Sequence, residues 1–145
     1  MTMTRRDFTR LGLGAAAVAA TGLGLAPRPA EAAGTVEEAI AAFTGGAETT
    51  EGGIDLGAPE IAENGNTVPI EVAAEGAAAI MLLASGNPSP GVATFRFGKL
   101  AAASAASTRI RLAQTQDIVA VAEMKDGSFR KVSRTVKVTI GGCGG

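Results

Sequence analysis
Between Val36 and Ile140 the spacing of apolar positions changes once, from a period near 3.6 to a period of two. Val36, Ala39, Ile40 and Phe43 fall at i, i+3, i+4 and i+7, one stripe of a helix. Thr35 and Glu38 have the spacing of a capping box, in which the hydroxyl and the carboxylate each take an orphan amide. Gly45-Gly46 offers the left-handed exit that glycine adopts at little cost. One short helix is predicted.

Beyond Gly46 alternation takes over. Ile54 and Leu56 alternate before Pro59, and Val68, Ile70 and Val72 do so after the turn Glu63-Asn64-Gly65-Asn66. Ala79 to Ala84 is a continuous apolar run closed by Ser85-Gly86-Asn87-Pro88-Ser89-Pro90-Gly91, and Thr94 to Phe97 makes another strand. Ile110 and Leu112 face one way, Arg109 and Arg111 the other. Ile118 to Met124 is apolar on both faces, as a central strand is. Asp126-Gly127 predicts a two-residue type I′ hairpin. The returning strand sends Val132, Val136, Val138 and Ile140 to one side and Lys131, Ser133, Thr135, Lys137 and Thr139 to the other. Arg134 interrupts the inward set, so a bulge or an edge is expected there. About seven short strands in roughly a hundred residues imply an all-β, immunoglobulin-like sandwich with a short N-terminal helix.

The first 32 residues follow a different logic. Arg5 and Arg6 stand in Thr4-Arg5-Arg6-Asp7-Phe8, an apolar run rich in Gly and Ala follows, and Ala30-Glu31-Ala32 supplies small residues for cleavage. The run is shorter than the roughly 20 residues of a spanning helix. This is the pattern of a twin-arginine (Tat) signal, which implies export and a periplasmic mature protein. The expected organisation is 1–32 signal peptide, 33–140 sandwich domain and 141–145 flexible arm.

Composition removes most chemistry. The chain has no histidine and a single cysteine, so a Ser-His-Asp or Cys-His pair, a histidine-held metal site and an internal disulfide are all excluded. Neither a cofactor nor a metal is expected, and a formal charge of −1 offers no blanket attraction to nucleic acid or anionic membrane. Without residues 1–32 the chain carries nine basic and twelve acidic residues, net −3. Nine carboxylates and no cation lie between Glu37 and Glu75, and all nine cations lie between Arg96 and Lys137. Pairing of the two halves across one small fold is expected; the alternative is a two-pole surface that orients partners.

The one thiol sits in Gly141-Gly142-Cys143-Gly144-Gly145. Such a segment buries nothing and has no side chain to restrain its backbone, so a mobile arm is expected that carries the sulfur about 10 Å beyond Ile140. Three readings compete: an incidental tail, an intermolecular disulfide that joins two copies of a secreted structural sandwich, and a carrier that holds substrate on sulfur and presents it to other proteins' active sites. Catalysis by the chain itself is not expected. At an ordinary pKa near 8.5 only a few per cent of the thiol is ionised at neutral pH, so activation falls to a partner's pocket.

These residues resemble a family. The terminus Val138-Thr139-Ile140-Gly141-Gly142-Cys143-Gly144-Gly145 is similar to that of SoxY, the sulfur-carrier subunit of the periplasmic thiosulfate-oxidising (Sox) system. The resemblance extends to Ile54–Ile70, to Asn87-Pro88-Ser89-Pro90, to Arg109-Ile110-Arg111-Leu112-Ala113 and to Asp126-Gly127-Ser128. It implies an immunoglobulin-like domain paired with SoxZ as a heterodimer. It further implies that Cys143 receives thiosulfate in an oxidative step performed by SoxAX. SoxB then hydrolyses the adduct to sulfate and, in systems that have it, SoxCD oxidises the remaining sulfane sulfur. Gly141, Gly142, Gly144 and Gly145 form the slim shaft in this scheme. A ubiquitin-like carrier that bears sulfur as a C-terminal thiocarboxylate also ends in Gly-Gly, although its activation is cytoplasmic and ATP-dependent.

Overall fold
The computed structural model describes residues 34–139. Its elements are α1 (Val36–Thr44), β1 (Thr49–Glu51), β2 (Asp55–Gly57), β3 (Ile61–Ala62), β4 (Val68–Ala73), β5 (Ala77–Ala84), β6 (Gly91–Arg96), β7 (Ala105–Ile110), β8 (Gln116–Met124) and β9 (Phe129–Val138). They form a β-sandwich. One sheet has the order β1-β9-β8-β5-β6, with β3 also paired to β9, and the other has the order β2-β4-β7. That division matches an immunoglobulin-like Greek key, with an A-B-E layer against a G-F-C layer extended by β6 beyond C and by the short β1 and β3 beyond G.

The core follows the alternation. Leu56, Val68, Ile70, Val72, Ile110 and Leu112 from the smaller layer meet Ile80, Leu82, Ile118, Ala120, Ala122 and Val136 from the larger one. Strands β5 and β8 are apolar on both faces because both faces are covered. Their outer residues Met81, Leu83, Val119 and Val121 lie beneath Val36, Ala39, Ile40 and Phe43 of α1. The helix forms for the local reasons anticipated. Thr35 Oγ1 accepts from Glu38 N at 3.2 Å, Glu38 Oε2 accepts from Thr35 N at 2.7 Å, and Gly45 takes φ 64° as the C-cap. Phe43 meets Phe129 edge-on with ring centroids 6.1 Å apart, which ties the helix to the start of β9.

Three expectations change. The β8–β9 turn is not type I′, since Gly127 has φ 84° and no non-glycine among the described residues has positive φ. Gly127 N donates to Met124 O at 3.0 Å and Met124 N to Ser128 O at 2.8 Å, a three-residue loop built on a type I turn with glycine in the left-handed position. Asp126 stays out of that region while its Oδ1 accepts from Ser128 N at 2.9 Å and Ser128 Oγ at 2.6 Å.

At Arg134 there is no bulge, because β9 runs against β8 without a register shift. The edge alternative holds: β1 covers Phe129 to Lys131 and β3 covers Lys137 and Val138, and the exposed Arg134 lies between them. Its Nη1 donates to Ala58 O at 3.4 Å.

The acidic and basic halves also fail to neutralise each other by contact. Among the described residues one ion pair forms, Lys131 Nζ to Glu51 Oε1 at 3.9 Å, and Glu51 is exposed enough for it to contribute little. Strands β1 and β3 add to the seven expected, and Ile140, expected to end the last strand, lies outside the described residues.

Candidate functional site
Cys143, Gly141, Gly142, Gly144 and Gly145, the signal residues Arg5 and Arg6, and the expected boundaries at 32 and 140 all lie outside the described residues. What the structure supplies is the root from which the terminal segment departs. Strand β9 ends at Val138, and its last amides are fixed from both sides. Thr139 N donates to Ala62 O at 3.1 Å and Lys137 N to Glu60 O at 2.9 Å on the β3 side. Val138 N donates to Thr115 Oγ1 at 3.0 Å on the other. The root is a clamped strand end.

Three loops gather around this end of the sandwich, two tied by side chains and the third by a backbone bond. Asn87 is the hub: its Nδ2 donates to Arg111 O at 2.8 Å, while its Oδ1 accepts from Ala113 N at 3.0 Å and from Gln116 Nε2 at 2.9 Å. Gln116 opens β8, just ahead of its apolar run 118–122, and is 6% exposed. It is satisfied all round, since its Oε1 also accepts from Gly86 N at 2.7 Å and its Nε2 donates to Gln114 O at 3.1 Å. Leu112 N donates to Gly65 O at 2.8 Å, linking the 111–115 loop to the 63–67 loop. Within the latter, Asn64 Oδ1 accepts from Asn66 N at 2.9 Å, an Asx turn. No buried side-chain polar atom among the described residues lacks a partner, so the low dielectric strengthens this network.

Sequence reasoning identified the turns but not their assembly. The sequence marks Asn87 only as part of a turn and of a resembling segment, and Thr115 and Gln116 not at all; the available signal is a glutamine just ahead of an apolar run. Three of the segments that carry the resemblance, 59–70, 87–90 and 109–113, converge at this end. Arg109 and Arg111, read as the outward face of a strand, are exposed there.

The surface nearby is shallow and divided by one side chain. Pro59, Ile61, Ala62, Val68 and Pro69 line a groove of about 420 Å³ together with Glu63, Asn64 and Thr67. On its other flank Ile61 joins Glu60, Arg134, Thr135 and Lys137 around a second depression of about 370 Å³. Ile61 is itself 56% exposed. Among the described residues no group of three or more His, Cys, Asp or Glu is arranged to hold a metal ion. No helix among them is long and apolar enough to cross a membrane. At the opposite end of the sandwich the Ser128 hydroxyl, followed by the Ser128 amide, holds the Asp126 carboxyl below its ordinary value.

A family model described as sulfur oxidation protein SoxY matches residues 40–143, so that the match closes on Cys143. Among solved structures, the sulfur carrier protein SoxY from Chlorobium limicola f thiosulfatophilum is 38% identical, with a TM-score of 0.64 over 73% of this chain and 97% of that one. A superoxide reductase (neelaredoxin) from Ignicoccus hospitalis is 14% identical, with a TM-score of 0.53 over 60% of this chain and 80% of that one. A hypothetical protein from Pyrococcus horikoshii is 11% identical, with a TM-score of 0.52 over 61% of this chain and 96% of that one. The last two share the fold alone. No curated protein matches the sequence.

Proposed function
The chain belongs to the SoxY family of sulfur oxidation proteins, and from that premise we propose that it carries sulfur substrate covalently on Cys143 in a periplasmic thiosulfate-oxidising system. The observation that carries this reading is the family match running to the one thiol of the chain, five residues beyond a clamped strand end. In this reading the chemistry falls to partner enzymes, and the part of the sandwich is to present the arm.

Loading joins the Cys143 thiolate to the outer sulfur of thiosulfate. The new S–S bond releases two electrons, which pass one at a time to the partner cytochrome SoxAX. SoxB then adds water across the S–SO₃ bond, releasing sulfate and two protons and leaving a persulfide on Cys143. Where SoxCD is present, it oxidises that sulfane sulfur and SoxB clears it again. SoxZ is the heterodimer partner. Gly141, Gly142, Gly144 and Gly145 keep the shaft narrow enough for a channel. Residues 1–32 are a twin-arginine signal and residues 33–140 the carrier domain.

Intact-mass analysis of protein from thiosulfate-fed cells tests the reading. Wild-type protein gains the mass of a thiosulfate-derived adduct, and Cys143→Ser gains none while folding and pairing as before. Adducts that persist in Cys143→Ser overturn it, as does a wild-type chain recovered only as a disulfide-linked homodimer. Replacing Arg5 and Arg6 with lysines leaves the uncleaved precursor in the cytoplasm if the leader acts as proposed.

A further inference from the structure
We infer that the ridge of Ile61, with the groove of Pro59 to Pro69 beside it, is the docking face for the enzymes that process Cys143. The inference rests on the carrier reading above and adds to it a surface and the chemistry of what covers that surface.

Tether length carries the argument. Cys143 lies four positions beyond Thr139, and at roughly 3.3–3.6 Å per residue its backbone reaches no more than about 14 Å from the clamped root. That is less than the radius of most enzymes plus the depth of a buried site. A catalytic pocket that takes in the sulfur therefore brings its own surface against this end of the sandwich.

At that end Ile61 is the one large apolar side chain left exposed among the described residues. It belongs to β3, whose neighbour Ala62 accepts from Thr139 N, so it stands beside the root at a fixed distance from it. Two prolines stiffen the flanks of its groove. The second depression places Arg134 and Lys137 next to Ile61 with Glu60 the only carboxylate, and Arg109 pairs in register with Pro69. None of these cations has an ion-pair partner among the described residues. The occupant that fits is an apolar side chain at the mouth of the enzyme's active site, flanked by carboxylates. A small, partly polar face of this kind suits a partner that must leave after each step.

The fold supplies a matched control. Leu100, fully exposed, lies in the β6–β7 loop at the opposite end. The experiment uses the SoxYZ heterodimer carrying Ile61→Glu or Leu100→Glu, with purified SoxB as the probe. Ile61→Glu raises KM for the adduct-loaded heterodimer at least tenfold with kcat within twofold of wild type, and Leu100→Glu changes neither. Iodoacetamide alkylates Cys143 at the wild-type rate in both. A separate arm measures direct binding of SoxB to the Cys143→Ser heterodimer, which carries no adduct. Binding persists there and is lost when Ile61→Glu is added. This arm reads docking even where Cys143 carries nothing, so failure of the carrier reading and failure of the docking face are told apart. Equal behaviour of the two glutamate variants overturns the inference. So does slower alkylation in Ile61→Glu, which would mean that the groove holds the arm itself, or loss of the heterodimer, which would assign the groove to SoxZ.

Discussion
The two ends of the sandwich are closed in different ways. At the end where β9 finishes, side chains bind loops 85–90 and 111–115 to each other and to the head of β8, with Asn87 and Gln116 each engaged three times, and the backbone bond from Leu112 N to Gly65 O adds the 63–67 loop. At the other end the chain turns mostly on its own backbone. Gly76 and Gly127 take positive φ, Lys125 N donates to Gly76 O and Ala74 N to Ser104 O. The Ser104 hydroxyl adds one cross-loop bond, to Ala77 O at 2.8 Å. Backbone turns suffice to reverse a chain. A side-chain network costs more ordering entropy and returns a fixed relative position for loops far apart in sequence. The end with the network is the end at which β9 finishes, five positions before Cys143 in the sequence.

The contrast is broken most directly by removing one hub side chain from each end. Asn87→Ala leaves the Ala113 amide and the Arg111 carbonyl short of partners and is expected to cost about 2–3 kcal/mol, while Ser104→Ala costs about 1 kcal/mol or less. Urea denaturation of the two variants measures both, and equal losses would show that the ends do not differ. Next in size is a pair of glycines. A Cβ at Gly86 would stand 2.9 Å from the Gln116 Cβ and 3.0 Å from Gln114 Nε2, whereas one at Gly98 meets nothing within 4 Å. Gly86→Ala is expected to lose about 1–2 kcal/mol through overpacking and Gly98→Ala to stay within about 0.5 kcal/mol of wild type.

Thr115→Val sharpens the comparison locally. It removes the acceptor of the Val138 amide at the arm root, with an expected loss of about 1 kcal/mol. Hydrogen exchange should show faster exchange at Val138 and none of that change at the β8–β9 turn. The smallest effect belongs to the far end. Asp126 is held ionised by Ser128, so its folded pKa lies below its unfolded one. The stability this gives is present above the unfolded carboxylate value near 3.9 and is lost as pH falls through the folded value. Ser128→Ala removes the hydroxyl and leaves the amide bond, so an NMR titration of Asp126 should move part of the way back up, with stability at neutral pH nearly unchanged.

The sequence made some of this plain and hid the rest, for physical reasons. The helix was legible because Thr35, Glu38 and Gly45 act within a few residues of one another. Strands β4, β5 and β8 were legible because burial on one face or both writes itself as period two or as a continuous run. Strands β1 and β3 left no trace, being three and two residues long and existing only through parallel pairing to β9. The hairpin turn was misjudged because the Asp126 carboxylate, bound to Ser128, favours ordinary backbone at a position that type I′ would force to positive φ. The thiol stood out by elimination in a chain with no histidine. The network behind it was invisible, since nothing local in Asn87 or Gln116 announces a partner some thirty residues away.

The pairing of β3 with the end of β9 has a kinetic consequence. Thr139 and Ala62 are 77 positions apart, and Arg134 reaches Ala58 across 76. Closing so long a loop is slow relative to hairpin formation, so this contact should be among the last to form. A complete but half-folded chain would have its thiol and no clamped strand end behind it, so the order of assembly makes the fixing of that root a late event.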